Sequence, residues 1–377
     1  NAAGINGDQA DNSTSGAGAV YVYTRDTDKW IQQAYVKAWT DRSIAIFDRF
    51  GTAVALSDDG NILAVGADGE DGGATGVNNE EDTALADQSG AVYVYTRSGN
   101  SWSQQSYVKA SNTDPRDSFG SAVALSGDGA TLAVGAPEED SPATGINGDQ
   151  TDIPPELNEG GFGEVGAVYV YAYSADTWTQ QAYVKASRTG DHNFFGNSIA
   201  LSSDGDTLAV GAFLENYGGT GINNDTLDTA DGSGAAYVYT RSAGTWTQQA
   251  YIKASNTESG DAFGRSVALS STGDTLAVGA VFEWSSATGI NGDQHNNFAE
   301  SSGAAFLYTR NAGTWVQQAY VKASNTQAGD WFGTAVALSG NGDVLAIGAE
   351  HEDSIATDIN GDQSDNSAEN SGAVYLY

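Results

Sequence analysis

The feature that most constrains this chain is a phrase that returns along its whole length. Phe-Gly occurs at Phe50-Gly51, Phe119-Gly120, Phe195-Gly196, Phe263-Gly264 and Phe332-Gly333, at intervals of 69, 76, 68 and 69 residues. Each Phe-Gly leads to a turn such as Ser57-Asp58-Asp59-Gly60 and then to L-A-V-G-A or L-A-I-G-A. A loop with variants of T-G-I-N-G-D-Q follows, then G-A-V-Y-V-Y or a close variant, a Trp, and Q-Q-x-Y-V-K-A. A period of this length means that each copy is one supersecondary unit, which buries its apolar faces only by packing on its neighbours. Residues 1–377 therefore read as a single repeat assembly, with units beginning near 50, 119, 195, 263 and 332 and a partial unit over 1–49.

One unit can be read strand by strand. Ala122 to Leu125 is short, apolar and bounded by Gly and Ser, as a buried strand should be (strand type A). Ser126-Gly127-Asp128-Gly129 supplies a tight turn. Thr131 to Ala136 is strand type B, whose small residues let a neighbouring sheet approach closely. Ala167 to Tyr171 is type C, apolar on both faces and so covered on both. Trp178 to Lys185 is type D, the most polar of the four. No segment has the 3.6-residue spacing of an amphipathic helix. The unit is a four-stranded antiparallel meander with two apolar faces, and stacking such sheets radially gives an all-β propeller. A linear β-solenoid is the alternative, but its coils are shorter and carry one strand motif each.

The strand count runs C–D from Ala19 to Lys37, then four full units, then A–B–C ending at Tyr377, which leaves five or six blades with overlapping ends. Either the N-terminal D strand completes the C-terminal set, or the chain is a window on a longer array, or spare strands pair between molecules, as open edges invite.

Charge narrows the partners. The net charge is −34, with 49 acidic and 15 basic residues. Such a surface repels nucleic acid and anionic lipid and attracts cations. There is no Cys, so no disulfide or thiol chemistry, and no Met, residue 1 included, which reads as a processed or excised chain. No apolar run approaches the ~20 residues of a membrane helix. Abundant Asn, Asp, Gly, Ser and Thr suit an extracellular or cell-surface β protein.

In a meander the A–B and C–D hairpins share one end of the sheet, and the B–C loops and D–A links share the other. The long B–C loops make that second end the functional candidate. Three carboxylate positions recur there. The I-N-G-D-Q loop supplies Asn6, Asp8 and Asp11; Asn147, Asp149 and Asp152; Asn223, Asp225 and Asp228; Asn291, Asp293 and Asn296; and Asn360, Asp362 and Asp365. Closely spaced oxygen donors of this kind are what Ca²⁺ takes, with 6–8 ligands. The competing reading is Asx-turn chemistry. A Glu follows strand B as Glu70, Glu139, Glu215, Glu283 and Glu352, expected to bond backbone amides of a neighbouring loop. An Asp precedes Phe-Gly as Asp48, Asp117, Asp261 and Asp330, with Asn193 in the other copy, in a turn or cap role.

The Trp of strand D (Trp30, Trp102, Trp178, Trp246, Trp315) reads as packing between blades. Trp39, Trp284 and Trp331 lie off that pattern on the loop end. With Glu139, Glu215, Glu283 and Glu352 they form the candidate ligand face. His192, His295 and His351 share no common repeat position, and no nucleophile-elbow, zincin or Walker motif is present. The chain is therefore read as a non-enzyme, with a glycoside hydrolase or lyase as the catalytic alternative.

Phe-Gly, Val-Gly-Ala and Gly-Ala-Val-Tyr-Val-Tyr together resemble the FG-GAP repeat of integrin α-subunit propellers, and more closely the FG-GAP proteins of bacterial cell surfaces. The resemblance spans essentially the whole chain. It implies a β-propeller, an extracellular location, and adhesion or ligand binding on the B–C and D–A loops. It also implies calcium in the A–B hairpin, on a D-x-D-x-D-G type of loop. Here that hairpin is only Ser126-Gly127-Asp128-Gly129 and its equivalents, which lack the ligand count. Any Ca²⁺ in this chain falls to the I-N-G-D-Q loops. The function expected is a calcium-stabilised binding or adhesion module for a protein or glycan. A structural subunit of a surface array joined through end strands is the alternative.

Overall fold

The computed structural model describes residues 3–11, 13–38, 47–79, 85–152, 163–224, 226 and 228–377. The chain divides into two compact units, Asn1–Ser187 and Arg188–Tyr377. In the first, β1 (Val20–Asp26) and β2 (Lys29–Val36) pair as a two-stranded sheet. A four-stranded sheet follows, from β3 (Val54–Leu56), β4 (Ile62–Ala67), β5 (Ala91–Ser98) and β6 (Ser101–Val108). The next comprises β7 (Ala122–Leu125), β8 (Thr131–Ala136), β9 (Ala167–Ser174) and β10 (Thr177–Val184).

The second unit opens with β11 (Ile199–Leu201), β12 (Thr207–Ala212), β13 (Ala235–Ser242) and β14 (Thr245–Ile252). The next sheet holds β15 (Phe263–Leu269), β16 (Thr275–Ala280), β17 (Ala304–Asn311) and β18 (Thr314–Val321). A three-stranded sheet of β19 (Phe332–Leu338), β20 (Leu345–Ala349) and β21 (Ala373–Leu376) completes it. Each four-stranded sheet is a sequential antiparallel meander, and no helix occurs among the described residues. This is the blade of a β-propeller, as the sequence pattern predicts. Strands A and B of the second full unit fall where the sequence places them. Strand C runs three residues further, to Ser174, because Ala172 to Ser174 continue the hairpin ladder with β10.

Within each unit the sheets pack face to face, and the sequence shows how. In the first, Val92 and Val94 of one sheet share a core with Leu132, Val134 and Tyr169 of the next. In the second, Val238 and Ile252 share a core with Leu276, Val278 and Phe306. The Phe of Phe-Gly sits edge-on against an aromatic pair of its own sheet: Phe119 lies 5.4 Å from Tyr169 and 6.3 Å from Tyr171, centroid to centroid. The strand D Trp bridges sheets by donating its indole N–H to a Gln of the preceding sheet. Trp102 bonds Gln33 (2.8 Å), Trp178 bonds Gln105 (3.0 Å) and Trp315 bonds Gln249 (2.8 Å). The packing role read from the sequence holds for these Trp residues. Trp30, in the two-stranded sheet, is 67% exposed.

Glycine sets the spacing between sheets. A Cβ on Gly279 would lie 2.0 Å from the Gly333 carbonyl oxygen of the next sheet, and one on Gly66 would lie 1.9 Å from that of Gly120. The Gly of L-A-V-G-A and the Gly of Phe-Gly thus touch backbone to backbone, and the motif's two glycines are two sides of one contact. Gly279→Ala is expected to lower stability by about 1–3 kcal/mol through overpacking. Gly348→Ala, whose Cβ would meet nothing nearer than 3.7 Å, is expected to be near neutral. Thermal unfolding of the two variants checks this.

Candidate functional site

The loop end is held by four bonded devices that repeat from sheet to sheet. The first joins the I-N-G-D-Q loop to strand D. The Asn of the loop takes positive φ in every copy, 54–58° at Asn6, Asn78, Asn147, Asn223, Asn291 and Asn360, which Asn tolerates better than most residues. This aims both its backbone and its side chain at one Tyr. Asn147 N–H donates to the Tyr183 carbonyl (2.7 Å), and Tyr183 N–H donates to Asn147 Oδ1 (2.9 Å). Asn6 with Tyr35, Asn78 with Tyr107, Asn223 with Tyr251 and Asn291 with Tyr320 repeat the arrangement. The side-chain oxygens of Asn6, Asn147, Asn223 and Asn291, proposed as metal donors, are thus engaged by a strand.

The second device is a buried ion pair. Lys109 meets Glu70 at 2.9 Å, Lys185 meets Glu139 at 2.5 Å, Lys253 meets Glu215 at 2.6 Å and Lys322 meets Glu283 at 2.8 Å. All eight side chains are essentially buried. The Tyr two residues before the Lys adds its hydroxyl: Tyr183 to Glu139 (2.5 Å), Tyr251 to Glu215 (2.8 Å) and Tyr320 to Glu283 (2.9 Å). Burial pushes the ammonium groups of Lys185, Lys253 and Lys322 below their ordinary range, and the facing carboxylate opposes that. Desolvation holds the Tyr hydroxyls well above their ordinary range, so they stay protonated donors. This corrects the sequence reading of the Glu position. Glu139, Glu215, Glu283 and Glu352 are 0–3% exposed and cannot form a ligand face. Backbone amides do bond some of them, as Ser285 N–H bonds Glu283, but the main partner of the first three is the Lys of Y-V-K. Sequence reasoning passed over that Lys, although it returns once per repeat as faithfully as the Glu.

The third device ties the D–A link to the I-N-G-D-Q loop that follows it in three of the units. Ser111 donates to Gln150 Oε1 (2.8 Å), and Asn112 Nδ2 donates to both Glu139 (3.1 Å) and the Gln150 carbonyl (3.2 Å). Ser255 and Asn256 treat Gln294 and Glu283 in the same way, and Ser324 and Asn325 treat Gln363 and Glu352.

The fourth is the Asp before Phe-Gly. Asp117, Asp261 and Asp330 accept from the backbone N–H three residues earlier (Asp114, Glu258 and Gln327), the cap role expected. Asp48 and Asn193 are likewise buried. Burial pushes Asp117 up to about 9 and Asp261 up to about 8, with Glu139 and Glu283 respectively adding repulsion. Burial, with Glu352 nearby, pushes Asp330 up to about 6.

The Asp residues of the loops lie further out. Asp8, Asp149, Asp293 and Asp362 are exposed, and each accepts a backbone N–H two residues on, which is an Asx turn. Asp11 and Asp365 make the same turn, with Ser13 and Ser367. Asp228 is exposed, and Asp225 lies outside the described residues. Asn296 bonds the Ser286 backbone. Asp152 differs: its Oδ1 is buried without a hydrogen-bond partner, and burial together with Asp114, Glu139 and Asp140 pushes it up to about 7. Among the described residues no group of three or more His or acidic side chains is placed to hold a metal ion.

Of the off-pattern aromatics, Trp284 is 41% exposed. Trp331 is stacked on His351, with centroids 3.9 Å apart, and meets Phe282 edge-on. Trp39 lies outside the described residues. His192 pairs with Asp191 (2.7 Å), and His295 sits in a loop turn, so the three His residues come from unrelated positions.

Stacked antiparallel blades joined by Phe-Gly and Gly-Ala contacts define a repeat-built β-propeller protein. The FG-GAP repeat family matches residues 102–150, 178–239, 246–308 and 315–377, more than half of the chain, and the chain belongs to that family. Nothing among curated proteins matches it. Among solved structures it is similar to the Pseudomonas aeruginosa periplasmic gluconolactonase PpgL, at 16% identity over 89% of this chain and 73% of that one, with a TM-score of 0.47.

The raised carboxyls carry a pH dependence. An unfolded Asp titrates near 3.9. Above that, the folded state keeps protons on Asp117, Asp261 and Asp330 that the unfolded state releases. The stability present below about pH 4 is therefore lost as pH rises through about 6 to 9. The lowered lysines act in the opposite sense, above their own folded values. The melting temperature is expected to fall from pH 5 to pH 9, and Asp117→Asn is expected to flatten that fall. Scanning calorimetry across the range checks it.

Proposed function

We propose that this chain is an extracellular binding or adhesion module that engages a protein or glycan ligand with the B–C loop end of its sheets. The observation that carries the reading is a division of labour within each loop. The loop bases are clamped by the Asn–Tyr, Ser/Asn–Gln and Lys–Glu–Tyr bonds, while their tips point outward. Trp284 and Phe298, the latter 87% exposed, flank one such loop, and Asp293 stands between them. Rigid bases with exposed, variable tips are how loop-borne binding surfaces are built. Exposed aromatic rings offer stacking area to a sugar ring or a protein side chain.

Ca²⁺ belongs to the proposal as an organiser of these loops. Its support is Asp152, a carboxylate with an unsatisfied buried oxygen among acidic neighbours, where a divalent cation would relieve both the repulsion and the missing bond. Asp149, three residues earlier in the same loop, stands beside it in sequence with an exposed carboxylate. A cation bound only by the folded state at ~100 times its Kd adds about 2.7 kcal/mol. Thermal melts with excess Ca²⁺ and with chelator are expected to differ, and Asp149→Ala/Asp152→Ala is expected to abolish the difference. Equal melts would remove calcium from the account. Loss of binding in Trp284→Ala/Phe298→Ala on an extracellular protein and glycan array, with the fold intact, would place the ligand on the loop tips.

A further inference from the structure

The copies share one backbone around Phe-Gly but not one set of side chains. The residue before Phe-Gly is Arg49, Ser118, Phe194, Ala262 and Trp331 in turn, and in all five it takes positive φ, between 52° and 58°. The residue after Phe-Gly is Thr52, Ser121, Asn197, Arg265 and Thr334. Its N–H donates to the carbonyl of the residue before Phe-Gly in every copy. These are equivalent places, so what differs between them is not dictated by the backbone.

The second unit fills these places in a way the fold does not require. A left-handed φ is costly for a bulky side chain. Phe194 and Trp331 nevertheless adopt it, where Ser118 and Ala262 make the same turn with small side chains. Strain accepted for the sake of one side chain points to a functional position. Each of the two rings meets another from the start of a B–C loop. Phe194 lies 5.4 Å from Phe213, and Trp331 lies 5.2 Å from Phe282, centroid to centroid. All four rings are partly exposed. In the first unit Asp68 holds the place of Phe213, and Glu138 holds that of Phe282.

Arg265 is the charged member of its set of five equivalents. It is exposed, and its guanidinium carbon lies 5.2 Å from the Phe213 ring centroid. Arg49, Arg241 and Arg310 each pair with an Asp. Among the described residues no carboxylate lies within ion-pair distance of Arg265. In a chain with 49 acidic residues, an exposed arginine held apart from all of them is not a structural tie. Phe282 hangs from the same link. Arg265 N–H donates to the Ala262 carbonyl (3.1 Å), and Phe282 N–H donates to the Asp261 carbonyl (3.2 Å). Ala262 itself is small and buried, so it puts no side chain over this surface.

We infer that Arg265 and the ring pairs Phe194–Phe213 and Phe282–Trp331 form a binding surface for an anionic glycan, one whose pyranose rings carry a carboxylate or a sulfate ester. The guanidinium takes the acid group, which its planar donors match bidentately. The aromatic rings take the apolar faces of the sugar. Charge complementarity at Arg265 favours an acidic sugar over a neutral one. The negative potential of the rest of the chain disfavours a dense polyanion, so the ligand carries its charge sparsely, with one acid group at the arginine. This surface lies at the same end of the sheets as the loop tips, but it includes neither Trp284 nor Phe298 and needs no calcium.

The test is calorimetric titration of the full chain, in the presence of chelator, with oligosaccharides of equal length: an oligogalacturonate, a sulfated galactan fragment and a neutral β-glucan fragment. Saturable binding of one or both acidic sugars is expected, with the neutral one weaker by about tenfold or more because it lacks the charge-assisted bond. Which acid binds identifies the source of the negative group. Two protein variants borrow residues that equivalent copies already carry: Arg265→Thr, as at Thr52 and Thr334, and Phe213→Val, as at Val281. Each is expected to weaken the acidic sugar about tenfold with the fold intact by thermal unfolding, and Trp284→Ala/Phe298→Ala is expected to leave it unchanged. The comparison of sugars leaves the protein untouched, so it stands even where a variant fails to fold. Absent binding of both acidic sugars, equal binding of the neutral one, or indifference to Arg265→Thr would overturn the proposal. So would loss confined to Trp284→Ala/Phe298→Ala, which would put the glycan on the loop tips.

Discussion

The buried Lys–Glu pair, with the Tyr hydroxyl that joins it, is the interaction on which each repeat depends. It links strand D to the start of the B–C loop across 38 to 46 residues of chain. Burying two charges is costly, and their attraction returns that cost only where the geometry is good and the remaining hydrogen-bonding capacity is satisfied. The repeats meet that condition with overlapping sets of groups. Asn112 and Asn256 bond the carboxylates of Glu139 and Glu283 from the link side, and Ser89, Ser233 and Ser302 receive the ammonium of Lys109, Lys253 and Lys322. The outcome is register. A strand shifted by one residue would turn its Lys to the opposite face of the sheet and leave a bare Glu in the interior.

This arrangement explains why the same end of the sheet looks so acidic in sequence yet presents fewer free carboxylates in structure. The Glu after strand B and the Asp before Phe-Gly are interior groups with structural partners. The carboxylates left for solvent are those at the loop tips. The electrostatic surface that this end offers a ligand or a cation is therefore narrower than its sequence implies, while exposed aspartates such as Asp58, Asp128, Asp204 and Asp274 line the A–B hairpins at the other end.

Much of the fold was legible in the sequence because the determinants are local and repeat. Ala122 to Leu125 and Thr131 to Ala136 announce strands by apolar run length and by bounding turns. The two motif glycines announce close sheet contact because only a residue without Cβ permits 2.0 Å geometry at Gly279. The site was harder to read for a physical reason. Asn-Gly-Asp has the composition of an oxygen-donor metal loop and of an Asx turn alike, and only the position of Tyr183 shows that the Asn147 oxygen faces a strand amide. The Glu139–Lys185 pair was missed because neither residue is unusual alone, and a Lys after an apolar pair reads as a solvated strand end. What would have revealed it is the joint return of one Glu and one Lys in every full unit, in a chain with only 15 basic residues.

The most direct test of the account is a double-mutant cycle on Glu215 and Lys253, read from urea and thermal unfolding. Glu215→Gln and Lys253→Met are each expected to cost about 3–5 kcal/mol, because each leaves a buried group without its partner. The double variant should cost clearly less than the sum, with a coupling of about 2 kcal/mol or more. Single losses under about 1 kcal/mol that simply add would contradict it, and the ion pair would then be a passenger in a fold held by glycine contacts and aromatic packing alone.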